Sequence, residues 1–388
     1  MTSPIDEGTA VRLTVSLLAD ELGRIRGRAV DAAEWSAWGP PTTIDEDGVG
    51  ADSLARLELV ARLNQFFHLH EVGTEDYLVV RRTIGDWAEI VVETLRRRAE
   101  SLTFLTSGST GEPRRVTHRW ADLIAECEGH AALLPGARAV LALTPPHHIY
   151  GFLFTALGPS LRGLPVKDLR AAAPGRAGAL AEAGDVIVAT PFLWTVALRA
   201  GVRFAPGVTG VTSGAPMEPA TWADLRDAGL ERLVEIYGST ETAGVGWRDA
   251  PDADFAALPH VEAAPPGMRR RRDGAALPLQ DALAWRGDRF RPAGRCDGAV
   301  QVGGVNVYPD RVRAILLEHP AVADAVVRLD ASGGRLKAFV APRGEGADLS
   351  DALRRHCADR LTAPERPARF AFGAALPVNA IGKAADWD

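Results

Sequence analysis

The chain has 388 residues, 46% apolar and 24% charged, with 39 glycines and 26 prolines; this is a globular composition for two or three domains and excludes a wholly disordered or fibrous chain. The net charge of −6 is uneven: residues 1–100 carry 18 acidic and 11 basic side chains, and the remainder is nearly balanced. That balance argues against nucleic-acid binding, and no stretch approaches the roughly 18 consecutive apolar residues of a membrane helix.

The start, MTSPIDEGTA, has no basic or apolar leader segment. Cys127, Cys296 and Cys357 are far apart and form no CxxC. Both features fit a reducing, cytoplasmic setting. Of the 44 basic residues only Lys167, Lys337 and Lys383 are lysines, so arginine serves wherever a plain positive charge suffices.

Residues 10–29 read as a helix, with Val11, Leu13, Leu17, Leu18 and Leu22 interrupted by charge. A long loop with Gly, Pro and the acidic run 45–47 follows. A second helix starts at Asp52-Ser53, and Leu54, Leu57, Val60, Ala61, Leu63 and Phe67 predict a broad apolar stripe. A last helix runs from Thr83 to about Arg98, with Arg96, Arg97 and Arg98 at its C-terminal end, where cations suit the helix dipole. From Ser101, short β-like runs alternate with helical stretches and Gly-rich turns, the pattern of an α/β core on a largely parallel sheet. After Gly294 the chain reads strand, helix, strand, strand, helix: a small α+β unit. The expected architecture is therefore multidomain, with segments 1–100, 101–294 and 295–388.

Ser53 can be read as a helix N-cap. The order helix, long loop, Asp-Ser-Leu, amphipathic helix, closing helix also resembles the acyl carrier protein family over about residues 8–98. That resemblance implies a four-helix carrier bundle with a 4'-phosphopantetheine arm on Ser53. Arg56 and Arg62 depart from the acidic second helix of such carriers.

Residues 102–114 run from a β-like stretch into a loop of Thr106, Ser107, Gly108, Ser109, Thr110 and Gly111, closing on Arg114. Backbone N–H groups and hydroxyls in such a loop can wrap phosphate oxygens. There is no GxxxxGK[ST] Walker pattern. The segment resembles the phosphate loop of the adenylate-forming superfamily, with Arg114 where the family has Lys. Further motifs follow in that family's order. Pro145–Phe152 resembles the mouth of the acyl pocket, which implies that His148 meets carboxylate and phosphate. Ser213, Gly214, Ala215 and Pro216 resemble the adenine-side loop. Tyr237 and Gly238 open a Y-G-x-T-E motif in which Thr240 would bind phosphate and Glu241 would hold Mg²⁺. Asp281 and Arg295 would contact the ribose, Asp297 would be the hinge, and Gly304 would line a pantetheine tunnel. Lys383, in the pattern P-x-N-x-x-G-K, would place its ammonium against the carboxylate and α-phosphate; a solvated tail lysine is the alternative. The run 269–272 reads as a solvated charged hairpin.

The resemblance covers the catalytic centre and the C-terminal lid but not the N-terminal subdomain usual in the family. The short architecture is most similar to aryl-polyene and polyketide-type acyl-ACP ligases. It implies that a carboxylic acid, aryl or short-to-medium acyl, reacts with ATP and then with a phosphopantetheine thiol, on its own carrier segment or on a separate carrier or CoA. A catalytically silent scaffold is the alternative of a different class. The implied partners are downstream carrier-dependent enzymes such as a ketosynthase, and a second copy or partner protein covering the face left bare by the missing subdomain.

Overall fold

The computed structural model describes residues 2–98, 100–106, 114–296, 298–303, 305–330, 334–344, 349–377 and 387. The chain divides into two compact units: residues 1–106, 115–279 and 283–291 in one, and 107–114, 280–282 and 292–388 in the other. No helix among the described residues is long and apolar enough to cross a membrane.

The first unit opens with five helices: α1 (Glu7–Arg26), α2 (Ala32–Trp35), α3 (Ser53–Phe67), α4 (Glu75–Val80) and α5 (Ile84–Arg97). Their ends follow from local chemistry. The Asp6 carboxylate accepts the Thr9 amide at 2.7 Å to cap α1, and Gly27 ends it at φ 65°. A reciprocal Thr83–Asp86 capping box starts α5. Asp52 caps α3 by accepting the Ala55 amide at 2.7 Å. Ser53 is therefore not the cap; it is the exposed first residue of the helix.

The apolar stripe expected on α3 is rotated. Leu54 and Leu57 face solvent at 67% and 54% exposure, and the buried face is Ala55, Leu59, Leu63, Phe66 and Phe67. Arg56 ties α3 to the end of α4 by donating to the carbonyls of Leu78, Val79 and Arg81. Arg62 is buried beside Asp20 and Glu21, and its burial pushes the guanidinium pKa down.

The chain continues through β1 (Ser101–Thr106), β2 (Arg114–Arg119) and α6 (Trp120–Leu133). Then come β3 (Ala139–Ala142), α7 (Ile149–Phe152), a π-turn (Leu153–Leu157), α8 (Gly158–Arg162), β4 (Val166–Asp168), α9 (Arg176–Leu180), β5 (Asp185–Ala189), α10 (Pro191–Arg199), β6 (Thr209–Thr212) and α11 (Pro219–Asp227). The remaining strands are β7 (Arg232–Ser239), β8 (Ala243–Arg248), β9 (Phe255–Ala257), β10 (Val261–Ala264), β11 (Gly267–Arg270), β12 (Asp281–Arg286) and β13 (Arg289–Arg295). A nine-stranded sheet has the order β12-β13-β9-β8-β7-β6-β5-β3-β4. Its β7-to-β4 part is parallel, and β8 and β9 add to it antiparallel.

The central parallel strands are mostly apolar because both faces are covered. On β5, Val186 and Val188 enter one core while Ile187 and Ala189 enter the other with Trp194 and Trp222. The first core also contains Leu13, Leu17, Phe66 and Phe67 from α1 and α3. Phe66 meets Phe104 of β1 edge-on at 5.3 Å, Phe104 meets Phe152 at 5.5 Å, and Phe152 meets Trp120 at 5.7 Å. Where the sequence suggested a separate four-helix bundle, residues 1–98 share a core with the sheet. The reason is physical: an amphipathic helix needs a surface for its apolar face, and here the sheet body supplies part of it.

Polar contacts also tie the opening helices to the rest of the first unit. Arg12 donates to the Thr155 carbonyl at 3.4 Å, the Asp6 amide donates to Ser160 Oγ at 2.9 Å, and Arg170 donates to Ser16 Oγ at 2.7 Å while lying over the Trp35 ring.

The second unit contains the hairpin β14 (Val300–Val302) and β15 (Val305–Val307), then α12 (Pro309–Leu317), β16 (Val322–Leu329), β17 (Leu336–Pro342), α13 (Ser350–Ala358) and β18 (Arg369–Phe372). Strands β16-β17-β18 form a three-stranded sheet, antiparallel then parallel. Val312, Leu316, Val340, Leu353 and Cys357 pack its core. This is the small α+β fold expected from the sequence.

Phe66→Ala should cost about 3–5 kcal/mol, the range for emptying a buried aromatic site. Urea unfolding followed by tryptophan fluorescence and by helix circular dichroism should give one coincident transition for the first unit. An earlier, separate loss of helix signal would mean that residues 1–98 fold as an independent module.

Candidate active site

The parallel strands bring the motifs together at one edge. The segment 143–148 leaves the C-terminal end of β3, Ser213–Pro216 leave the end of β6, and Tyr237–Glu241 close β7. The crevice outside the carboxyl ends of parallel strands is where open α/β sheets bind ligands. Tyr150 on α7 ties this edge together, its hydroxyl donating to the carbonyls of Val211 at 2.9 Å and Ala189 at 3.2 Å. Burial raises the Tyr150 pKa well above its ordinary value, so the phenol stays a donor.

His147 is buried and His148 is accessible, their rings 4.3 Å apart. Arg170 donates to Ser16 Oγ, which leaves the hydroxyl hydrogen for His147 Nδ1, 2.7 Å away. The ring hydrogen then sits on Nε2, 3.7 Å from Asp20. Burial, and then the neighbouring His148, hold the His147 pKa well below 6.5. His148 has its own pKa lowered by dehydration, although its surface is open. His147 is thus engaged with α1, while the neighbouring His148, expected from the sequence to meet a ligand, is exposed. Phe152, which ends the segment expected at the mouth of the acyl pocket, is a core residue of the aromatic cluster, and the buried Phe154 beyond it stacks on His130 at 4.2 Å.

Ser213 Oγ donates to the Ile236 carbonyl at 2.8 Å, which fixes the loop after β6 against β7. Gly214 then takes φ 90°, where a side chain would be strained. The buried Glu235 accepts the Met217 amide at 3.2 Å and pairs with Arg248 at 2.7 Å. Its pKa is raised by burial, against the pull of Arg248. Tyr237 packs against Phe255 and Phe290. Thr240 and Glu241 form the turn into β8, which Ser239 and Thr242 brace by reciprocal amide-to-hydroxyl bonds of 3.1 and 3.3 Å. Glu241 is half-buried and makes no side-chain hydrogen bond or ion pair among the described residues, so its oxygens are available to a hard cation. No group of three or more His, Cys, Asp or Glu among those residues could hold a metal alone. A single carboxylate completed by phosphate oxygens and water is the usual manner of binding Mg²⁺.

In the second unit, Asp281 starts β12 and Arg295 ends β13, neighbouring strands. The Cys296 amide donates to the Gln280 carbonyl at 2.8 Å, so the two residues expected at the ribose are brought together. Thr106 ends β1 and Arg114 begins β2. Ser107, Gly108, Ser109, Thr110, Gly111, Asp297, Gly304 and Lys383 lie outside the described residues.

Sequence reasoning passed over two residues at this edge, His118 and Glu126. His118 Nε2 lies 2.7 Å from the Thr240 carbonyl, and Glu126 accepts the Gly244 amide at 2.8 Å. His118 follows the phosphate-loop segment on β2, a signal that was available; Glu126 had none, since its partner lies 118 residues away.

A doubly covered parallel sheet carrying hydroxyl, histidine and carboxylate groups at its carboxyl edge, followed by a small α+β unit, defines a nucleotide-using α/β enzyme with a C-terminal domain. The AMP-binding enzyme profile matches residues 73–270, and the AMP-binding enzyme C-terminal domain profile matches residues 312–383. The chain is 44% identical to a 4-coumarate–CoA ligase of Rhodobacter capsulatus over 97% of its own length and 99% of that protein's. It is 43% identical to a 4-coumarate–CoA ligase of Cereibacter sphaeroides, over 99% and 97% respectively. In fold it is similar to an o-succinylbenzoate CoA synthetase double mutant of Bacillus subtilis, with a TM-score of 0.59 and 17% identity over 97% of this chain and 91% of that one. The chain belongs to the AMP-binding, adenylate-forming enzyme family, and its activity is ATP-dependent activation of an acid by an acid–thiol ligase.

The His147 environment has a consequence for pH. Folded His147 stays neutral below the pH, near 6.5, at which a free imidazole protonates. The unfolded chain then binds more protons, so stability falls as pH drops below 6.5. Between pH 7.5 and 5.5, wild type should lose about 1 kcal/mol more stability than His147→Gln in urea titrations. An equal loss in both would show that His147 titrates normally in the fold.

Proposed function

We propose that the chain activates an aryl carboxylic acid of the hydroxycinnamate class as its acyl-adenylate and transfers the acyl group to the thiol of CoA. The observation that carries this is the convergence of His148, Ser213–Pro216 and Tyr237–Glu241 on the carboxyl edge of β3, β6 and β7. The substrate class is supported by near-full-length relatives named 4-coumarate–CoA ligase. The segment 145–154 also contains no acidic residue. An amino-acid substrate would bury an ammonium there without a partner, which is costly.

In the first step a carboxylate oxygen attacks the α-phosphorus of ATP, and pyrophosphate leaves. In the second the thiol sulfur attacks the acyl carbon, its proton passes to solvent or a base, and AMP leaves. Thr240 and the hydroxyl-rich 106–111 loop bind phosphate oxygens, and Asp281 and Arg295 take the ribose. Glu241 would hold Mg²⁺, which neutralises phosphate charge when bound. His148 orients the carboxylate, and Lys383 stabilises the charge that develops between carboxylate and α-phosphate.

The exposed Ser53, which is not used as a cap, favours a second reading in which it carries a phosphopantetheine arm that accepts the acyl group and passes it to a carrier-dependent enzyme such as a ketosynthase. Incubation with a phosphopantetheinyl transferase and CoA, followed by intact mass, tests that reading. One added arm, lost in Ser53→Ala, supports it; an unchanged mass refutes it.

Acid-dependent ATP–pyrophosphate exchange tests the main reading. Hydroxycinnamic acids should support exchange and α-amino acids should not. Lys383→Ala should lower exchange at least about 100-fold, the scale of losing one transition-state electrostatic contact, and still transfer preformed acyl-adenylate to CoA. Selective exchange with an amino acid, or normal adenylation by Lys383→Ala, contradicts these assignments.

A further inference from the structure

The Thr240–Glu241 turn is held from two sides by residues outside the motif. On one side His118, half-buried on β2, reaches the Thr240 carbonyl through Nε2 at 2.7 Å. A carbonyl only accepts, so Nε2 carries the ring hydrogen. Burial lowers the His118 pKa, although the bond to Thr240 opposes the shift. On the other side Glu126, 1% exposed on α6, accepts the Gly244 amide through Oε1 at 2.8 Å. A carboxylate at that depth needs such a donor. His130 Nε2 lies 3.3 Å and His260 Nε2 3.8 Å from the same carboxylate.

Between these anchors the backbone is forced. Ala243 takes φ 57°, a left-handed conformation uncommon for a residue with a Cβ. A Cβ on Gly244 would fall 2.4 Å from Glu126 Oε1, and one on Gly238 would fall 2.1 Å from the Ala243 carbonyl. The turn fits its seat without spare room. Such strain persists only where the surroundings over-determine it, and it concentrates at functional sites.

We propose that His118 and Glu126 are positioning residues that fix the Thr240–Glu241 turn in the orientation in which it meets the nucleotide phosphates and Mg²⁺. The inference rests on the adenylation reading and adds to it the groups that organise the turn before the nucleotide arrives. His118 acts through a backbone carbonyl of the turn and Glu126 through a backbone amide at the start of β8, just beyond it, so their loss should weaken MgATP recognition and leave recognition of the acid alone.

The test uses the full chain. His118→Phe keeps a ring and loses the donor; His118→Gln keeps an N–H donor. His118→Phe should raise the KM for MgATP about tenfold, the scale of one hydrogen bond, with the KM for the acid unchanged, and His118→Gln should recover most of that loss. Glu126→Leu should behave like His118→Phe, and Glu126→Gln, whose amide oxygen still accepts from Gly244, should stay near wild type. Should His118→Phe fail to fold, His118→Asn, too short to reach the carbonyl, replaces it. Calorimetric MgATP binding without acid gives a second readout. A wild type that binds MgATP but exchanges with no acid refutes the adenylation reading, and the variants' affinities still test the positioning. A folded His118→Phe or His118→Asn with wild-type MgATP affinity and KM overturns the proposal. So does a lowered melting temperature with both KM values unchanged, which is the mark of a purely structural role.

Discussion

The contact on which the rest of the first unit depends is the edge-to-face packing of Phe66 on Phe104. Phe66 ends the buried face of α3, and Phe104 lies in the strand that leads into the phosphate-loop segment. The same junction carries a polar chain: His68 Nε2 meets Thr103 Oγ1 at 2.7 Å, and Thr103 Oγ1 meets Thr117 Oγ1 at 2.7 Å. One helix end therefore seats both strands that flank residues 107–113. The α3 end thus joins the helices to both β1 and β2.

From that base the sheet takes over. Burial of both faces of the parallel strands fixes their direction and register, and the strand ends then deliver the polar groups to one edge. The two adjacent histidines show how finely this sorts chemistry. His147 turns inward to a hydroxyl on α1 and is kept neutral; His148, one residue on, stays accessible. Tyr150, Ser213 and Glu235 spend their polar atoms on backbone or on Arg248. They hold the edge still, and the accessible groups are left for ligand.

Much of this was legible in the sequence. The alternation of apolar runs and Gly-rich turns predicts the α/β core, and the Y-G-S-T-E motif falls at its carboxyl edge. The helices at 7–26, 53–67 and 84–97 could be placed within a few residues, the last of them from Thr83. What could not be read is what each apolar face meets. Periodicity shows that a helix buries one side; it does not show that the other side of the contact is a sheet whose strands lie far along the chain. That is why residues 1–98 resembled a module and why Leu54 and Leu57 were placed inward. His118 and Glu126 escaped for the same reason, since their partners lie 122 and 118 residues further on.

The measurement that tests the account most directly is the fate of the acyl group when the full chain is incubated with ATP, Mg²⁺, CoA and a hydroxycinnamic acid. Separation by chromatography and mass analysis of both the small molecules and the protein distinguish the two possible acceptors. The account predicts aryl-CoA and AMP in solution, formed at the same rate by wild type and Ser53→Ala, with the mass of the chain unchanged. Acyl label retained on the chain through Ser53, with no CoA thioester released, would contradict it.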